Sequence, residues 1–242
     1  MLNISREKAQ VYIENRRVEV NGSISSKASL KVSEDDKIVV DRYEVEYVGR
    51  GSHKLKGALE DLDISLKGKV ILDVGSSTGG FTQVALIEGA SKVYAVDVGN
   101  DQMSLELSKD PRVLLKENQD IRSLDPRSIG KVDLIMVDLS FISLVGLFKK
   151  LIKFLKEDGH LLTLIKPQFE LGSKVIGKKG IASIDLHSRA VERVVEDART
   201  EGLYLNGFSR SIIKGKKGNI EYFGLFSHRD NKFSIDGKDF FQ

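Results

Sequence analysis

The apolar positions change period near residue 50. Ahead of it, Ala9, Tyr12 and Ile13 recur at i, i+3 and i+4 behind Ser5, a side chain able to cap, and predict a first helix. Arg16–Val20 then alternates like a strand and runs into Asn21-Gly22, a hairpin dipeptide. Lys37–Val40 predicts a second strand. Gly49-Arg50-Gly51 reads as a hinge, after which Ser52 is placed to cap a helix through Leu62, with Leu55, Leu59 and Leu62 facing inward. Beyond it, strand-like runs alternate with helical patterns: Lys69–Val74, Lys92–Val98, Val113–Lys116, Val132–Leu139, His160–Ile165, Tyr204–Ile213 and Glu221–Ser227. The clearest helical face is Leu144, Leu147, Phe148, Leu151, Ile152 and Leu155, backed by Lys149, Lys150, Lys153 and Lys156 and stopped by Gly159. Val191, Val194, Val195 and Ala198 form another, ending near Gly202. This alternation predicts an α/β fold, a doubly wound and mostly parallel sheet with helices on both faces. A small α+β unit over residues 1–48 and a linker over 49–53 precede the main domain, 54–242.

The chain has 242 residues, 40% hydrophobic and 30% charged, with a formal net charge of +3, which is a folding composition. The absence of cysteine excludes disulfides, thiol nucleophiles and cysteine-bound metal centres, and suits a reducing cytoplasm. Apolar runs such as Leu161–Ile165 fall far short of the roughly 20 residues of a membrane helix. The opening MLNISREKAQ has no apolar signal core, so neither a span nor a leader is expected. Charge is unevenly spread. Lys166–Gly180 carries Lys166, Lys174, Lys178 and Lys179 against Glu170, among three glycines. Arg210–Lys217 adds Arg210, Lys214, Lys216 and Lys217 with no acid. Such segments either grip phosphates or form a solvated face; the first reading is favoured, with Lys174, Lys178, Lys179, Lys214, Lys216 and Lys217 as the expected RNA contacts. Phe169 and Tyr222 are candidates for base stacking or for core packing.

Val70–Thr82 is an apolar strand, a glycine-rich turn and a helix start, placed where open α/β sheets bind ligands. It is not a phosphate loop of the Walker type, because Phe81 stands where lysine is required. It also departs from G-x-G-x-x-G, since the next glycine after Gly75 is Gly79. Asp97, 22 positions after Gly75 and at the end of the next strand, can accept both hydroxyls of a ribose. Asp120 follows the third run and is placed to meet an adenine amine. These point to an adenosine compound without pyrophosphate, S-adenosylmethionine, lined by Asp73, Gly75, Ser76, Ser77, Gly79, Phe81, Asp97, Val98, Asp120, Ile121 and Asp138. Two further apolar strands end in charge: Val132–Val137 in Asp138, and Leu162–Ile165 in Lys166, stopped by Pro167. Parallel strands bring both to one rim, as a salt bridge or as catalytic groups. Lys54, read in a first helical turn, opposes the helix dipole there and needs another partner. Glu221 follows Gly218-Asn219 at the last strand.

Arg50–Leu55, Asp73–Thr82, Val96–Gly99, Asp138–Ser143, Lys166–Glu170 and Gly218–Glu221 resemble the TlyA (hemolysin A) family. That family consists of ribosomal-RNA 2′-O-methyltransferases with an FtsJ-like catalytic domain. Residues 5–40 resemble its S4-like RNA-binding domain, through Ser5–Ala9 and Val20–Gly22. The family's domain opens with another helix, where only Met1–Ile4 precede Ser5, so an S4-like unit incomplete at its N-terminus is expected. The resemblance implies RNA contacts at Arg6, Lys8, Arg16 and Arg17. It implies a Lys-Asp-Lys-Glu tetrad at Lys54, Asp138, Lys166 and Glu221, and 2′-O-methylation of cytidine in 16S and 23S ribosomal RNA, met as RNA or ribosomal subunits.

The chemistry suits such a group. A ribose hydroxyl is a poor nucleophile near neutral pH, and a lysine amine can take its proton. A neighbouring cation and partial burial favour a neutral amine, whereas carboxylates orient it and oppose that effect. Lys166 is the expected base, Lys54 the neighbouring charge, and Asp138 and Glu221 the orienting groups; no metal is required. His53, His160, His187 and His228 lack ligand spacing. The competing readings are a nicotinamide-dependent oxidoreductase, a non-catalytic RNA-binding protein and a hemolysin-like protein; no stretch is amphipathic or apolar enough for a pore.

Overall fold

The computed structural model describes residues 6–41, 46–172, 180–235 and 241. The chain divides into two compact units, Met1–Arg50 and Gly51–Gln242. In the first, α1 (Arg6–Glu14) buries Tyr12, and β1 (Val18–Val20) lies between β2 (Ser23–Ile24) and β3 (Ile38–Val40), antiparallel to both. The hairpin dipeptide behaves as expected: Asn21 and Gly22 have φ of 52° and 79°, the left-handed pair that a tight β1–β2 turn requires. The Asn21 amide also donates to Asp36 Oδ1 at 2.7 Å and accepts from the Lys37 N–H at 2.9 Å, which fixes the entry to β3. Ser5, the expected cap of α1, lies outside the described residues.

The second unit holds a seven-stranded sheet in the order β6-β5-β4-β7-β8-β10-β9. The strands are β4 (Val70–Val74), β5 (Lys92–Val96), β6 (Val113–Lys116), β7 (Val132–Val137), β8 (Leu155–Ile165), β9 (Tyr204–Arg210) and β10 (Tyr222–Ser227). Pairing is parallel from β6 through β8, and β10 alone runs antiparallel to both neighbours. The helices are α2 (Arg50–Asp61), α3 (Gly80–Ile87), α4 (Leu105–Ser108), α5 (Phe148–Leu151), α6 (Pro167–Glu170) and α7 (His187–Thr200). Ile71, Leu72, Leu134, Ile135 and Met136 have no solvent exposure, as strands covered on both faces demand. Each contributes about 1.5–3 kcal/mol of burial free energy. The strand order reverses between β4 and β7, so a crevice opens at their carboxyl ends.

Two expectations are corrected. α2 starts at Arg50, so Arg50 and Gly51 are already helical. Ser52 therefore caps nothing; it is buried and its hydroxyl donates to the Gly80 carbonyl at 3.0 Å, tying α2 to α3. The helix expected to end at Gly159 is only the single turn α5. β8 starts at Leu155, because pairing with Val132 captures the rest of the run, and Gly159 is buried within the strand. The apolar face was legible all the same: Leu144, Leu147, Phe148, Leu151 and Leu155 are buried.

Candidate active site

Four chain segments converge on one rim of the sheet. Asp138 follows β7, and its N–H donates to the Val74 carbonyl at 3.0 Å, so it stands beside the end of β4. Lys166 follows β8, where Pro167 begins α6 and ends the ladder. Because β10 runs antiparallel, its beginning lies at the end where β8 finishes. Tyr222 pairs with Ile165, which sets Glu221 beside Lys166. α2 supplies Lys54 from its second turn, not the first turn the sequence predicted, since the helix starts at Arg50.

The four charges form two ion pairs. Lys54 Nζ lies 2.6 Å from Glu221 Oε2, with side-chain exposures of 10% and 4%. Lys166 Nζ lies 2.5 Å from Asp138 Oδ1, with exposures of 7% and 20%. Desolvating two charges costs much of what their attraction returns, so buried pairs contribute little to folding and two at one rim point to chemistry. Neutral groups complete the setting. Lys166 Nζ donates to Ser140 Oγ at 3.0 Å and lies 5.9 Å from the Phe169 ring centre. The Gln168 amide donates to Glu221 Oε1 at 3.4 Å, while its own oxygen is buried and unpartnered. A Cβ at Gly215 would lie 2.5 Å from Glu221 Oε1, so a larger residue there would push on the carboxylate that Lys54 holds.

The glycine-rich turn borders this cluster. Gly75 has φ of 85°, and a Cβ there would lie 2.4 Å from the Asp138 carbonyl oxygen. Gly79, with φ of 95°, leads into α3. Asp97 Oδ2 accepts the Ser77 N–H at 2.8 Å and Oδ1 accepts the Gly99 N–H at 2.7 Å. Each oxygen keeps a second lone pair, enough for the two hydroxyls of a ribose. Asp73 is fully buried. Thr82 donates to its Oδ2 at 2.6 Å, and Oδ1 has no partner. Burial pushes its carboxyl up to about 7; the Thr82 hydrogen bond resists and the Asp138 charge adds to the rise. The Ser76 hydroxyl is likewise buried and unpartnered. Two unmet polar groups beside a carboxylate with spare acceptor capacity fit a nucleoside bearing a cationic tail. Other expected positions stand differently. Phe81 and Ile121 are buried, Phe81 with its ring 6.1 Å from that of Phe223. Val98 is 67% exposed. The half-buried Asp120 is gripped by Arg122, 2.6 Å from Oδ2, which lowers its pKa.

Lys214, Lys216 and Lys217 are exposed beside the rim. Lys174, Lys178, Lys179 and the Lys8 side chain lie outside what is described. Arg6 and Arg16 are exposed in the first unit, and Arg17 pairs with Asp41 at 2.7 Å. The base-stacking expectation fails for Tyr222: it is fully buried, and its hydroxyl meets His187 Nδ1 at 2.8 Å. Phe169 is half-buried, its ring 5.2 Å from that of Phe141. Phe141, which sequence reasoning missed, is 85% exposed with φ of 70°. A phenylalanine just past an apolar strand reads as core, and no residue pattern announces a left-handed backbone there. Ser140, Gln168, Gly215 and Asn219 were equally silent, being polar or small residues of ordinary loop type.

The FtsJ-like methyltransferase family matches residues 47–227, and the S4 domain family matches residues 1–38. The 16S/23S rRNA (cytidine-2′-O)-methyltransferase TlyA of Mycobacterium tuberculosis strain H37Rv is 40% identical over 237 residues, 96% of this chain and 88% of that protein. Hemolysin A of Brachyspira hyodysenteriae is 37% identical over 226 residues, covering 92% and 93%. A solved Streptococcus thermophilus structure named as a hemolysin superposes with a TM-score of 0.74 at 35% identity, over 92% of this chain and 82% of that one. No helix among the described residues is long and apolar enough to cross a membrane.

Proposed function

The chain belongs to the FtsJ-like methyltransferase family and uses S-adenosylmethionine, and from that premise we propose that it methylates the ribose 2′-oxygen of cytidine in 16S and 23S ribosomal RNA. The observation that carries this reading is the pairing of Lys166 with Asp138 and of Lys54 with Glu221 on one rim, beside the glycine-rich turn. Asp73, Gly75, Ser76, Ser77, Gly79 and Asp97 would hold the donor. When bound, S-adenosylmethionine supplies a methyl group on a positively charged sulfur, which keeps the electron pair of the broken bond.

The protein's part is to place the hydroxyl and take its proton. To act as the base, Lys166 first gives up its own ammonium proton to solvent; the free amine then accepts the hydroxyl proton, and Asp138 Oδ1, 2.5 Å away, stabilises the ammonium that re-forms. Lys54, held by Glu221 at 2.6 Å, sets a positive charge beside the hydroxyl oxygen and orients the ribose. The low exposure of both lysines strengthens these interactions by excluding water. Phe141 and Phe169 offer an aromatic surface for the base. The nicotinamide alternative is weaker, because the turn lacks the second glycine of a pyrophosphate site. The hemolysin reading rests on relatives' names alone.

Transfer of labelled methyl groups to ribosomal RNA tests the proposal. Lys166→Ala, Asp138→Ala, Lys54→Ala and Glu221→Ala are expected to lose about 100-fold or more of kcat, the scale of a general base or its orienting group. Calorimetric affinity for S-adenosylhomocysteine should persist in the Lys54, Lys166 and Glu221 variants. Unchanged turnover in Lys166→Ala would refute the assignment.

A further inference from the structure

We propose that Ser140 is a positioning residue for Lys166, fixing the direction in which its amine meets the ribose hydroxyl. The inference rests on reading Lys166 as the proton acceptor. A lysine nitrogen has three outward tetrahedral directions. Asp138 Oδ1 takes one at 2.5 Å and Ser140 Oγ takes another at 3.0 Å, both as acceptors of N–H. The Phe169 ring centre lies 5.9 Å from the same nitrogen. A neutral amine has two N–H donors and one lone pair. With Asp138 and Ser140 holding the two donors, the lone pair must lie along the third direction. There the hydroxyl O–H bond breaks as the new N–H bond forms, and the ammonium keeps its first two partners.

Without Ser140 a single acceptor remains. The amine then turns about the Cε–Nζ bond, and the lone pair faces the hydroxyl only part of the time. The backbone is shaped for this contact. Only Leu139 separates Asp138 and Ser140, and the left-handed φ of 70° at Phe141 turns the chain immediately afterwards. Ser140 is itself exposed and fills no part of the core, so its hydroxyl is not needed for packing.

The test measures methyl transfer to ribosomal RNA under saturating and limiting RNA, with S-adenosylhomocysteine binding and thermal melting in parallel. It compares the wild type with Lys166→Ala, Ser140→Ala, Ser140→Cys and Ser140→Thr. Misorientation of one reacting group predicts a loss of about 10- to 100-fold in kcat for Ser140→Ala and Ser140→Cys. KM for RNA, product affinity and melting temperature should stay as in the wild type, and Ser140→Thr, which restores the hydroxyl, should recover most of kcat. Wild-type kcat in Ser140→Ala, with Lys166→Ala inactive, would overturn the Ser140 assignment alone. So would a defect confined to KM, or one that follows the melting temperature in both the alanine and cysteine variants. Wild-type rates in Lys166→Ala would overturn the underlying reading, and Ser140 with it.

Discussion

Asp73, beside the glycine-rich turn, shows how one buried residue makes stability depend on pH. Its carboxyl has an ordinary value of 3.8 when unfolded and is pushed up to about 7 in the fold, chiefly by burial. The folded chain therefore holds an extra proton between those values. The favourable contribution is complete below pH 3.8, is lost as pH rises through 7, and stays lost above it. A separation of about three pH units corresponds to about 4 kcal/mol. Denaturant unfolding at pH 4 and pH 8 checks this: Asp73→Asn should gain stability relative to the wild type as pH rises. A difference independent of pH would contradict it. At Gly75 the constraint is steric, since a Cβ would sit 2.4 Å from the Asp138 carbonyl oxygen. Gly75→Ala is expected to lose about 1–3 kcal/mol, the usual cost of a strained backbone position, in the same unfolding assay.

Among the elements, β10 does most to assemble the rim, because its reversed direction carries Glu221 to the end of β8. The chain leading into it is braced. The buried Asn219 amide donates to the Gly180 carbonyl at 2.9 Å and accepts the Ala182 N–H at 2.9 Å. Asn219→Ala leaves both backbone groups without that partner, an expected loss of about 1–3 kcal/mol measured by unfolding. The same scale shows what the sequence could reveal. Strands β4, β5 and β7 were legible because parallel strands covered on both faces read as continuous apolar runs, while β6 at the sheet edge was legible as the short run Val113–Lys116. α5 and the start of β8 were not, because Leu144–Leu155 satisfies a helical period while strand pairing claims its end. Asp138 and Lys166 could be placed on one rim from strand direction alone. Joining Lys54 to Glu221 required the family resemblance, since 167 residues separate them and nothing local marks the pair.

At the scale of the molecule, charge decides how RNA is met. Lys214, Lys216 and Lys217 are exposed beside the rim, while Lys54 and Lys166 are paired and buried. Replacing all three by alanine should raise KM for RNA. It should also lower the slope of log affinity against log salt by about 2–3, at roughly 0.7–0.9 per phosphate contact. Affinity for S-adenosylhomocysteine should not change. An unaltered slope would assign these lysines to a solvated surface. The proposed function has the two buried ion pairs beside the glycine-rich turn carry methyl transfer to a ribose oxygen. The most direct measurement is primer-extension mapping of ribosomal RNA after incubation with the protein and S-adenosylmethionine. The account predicts a donor-dependent stop at the 2′-oxygen of cytidine, absent with Lys166→Ala. Methylation of a base instead, or a stop that survives Lys166→Ala, would contradict it.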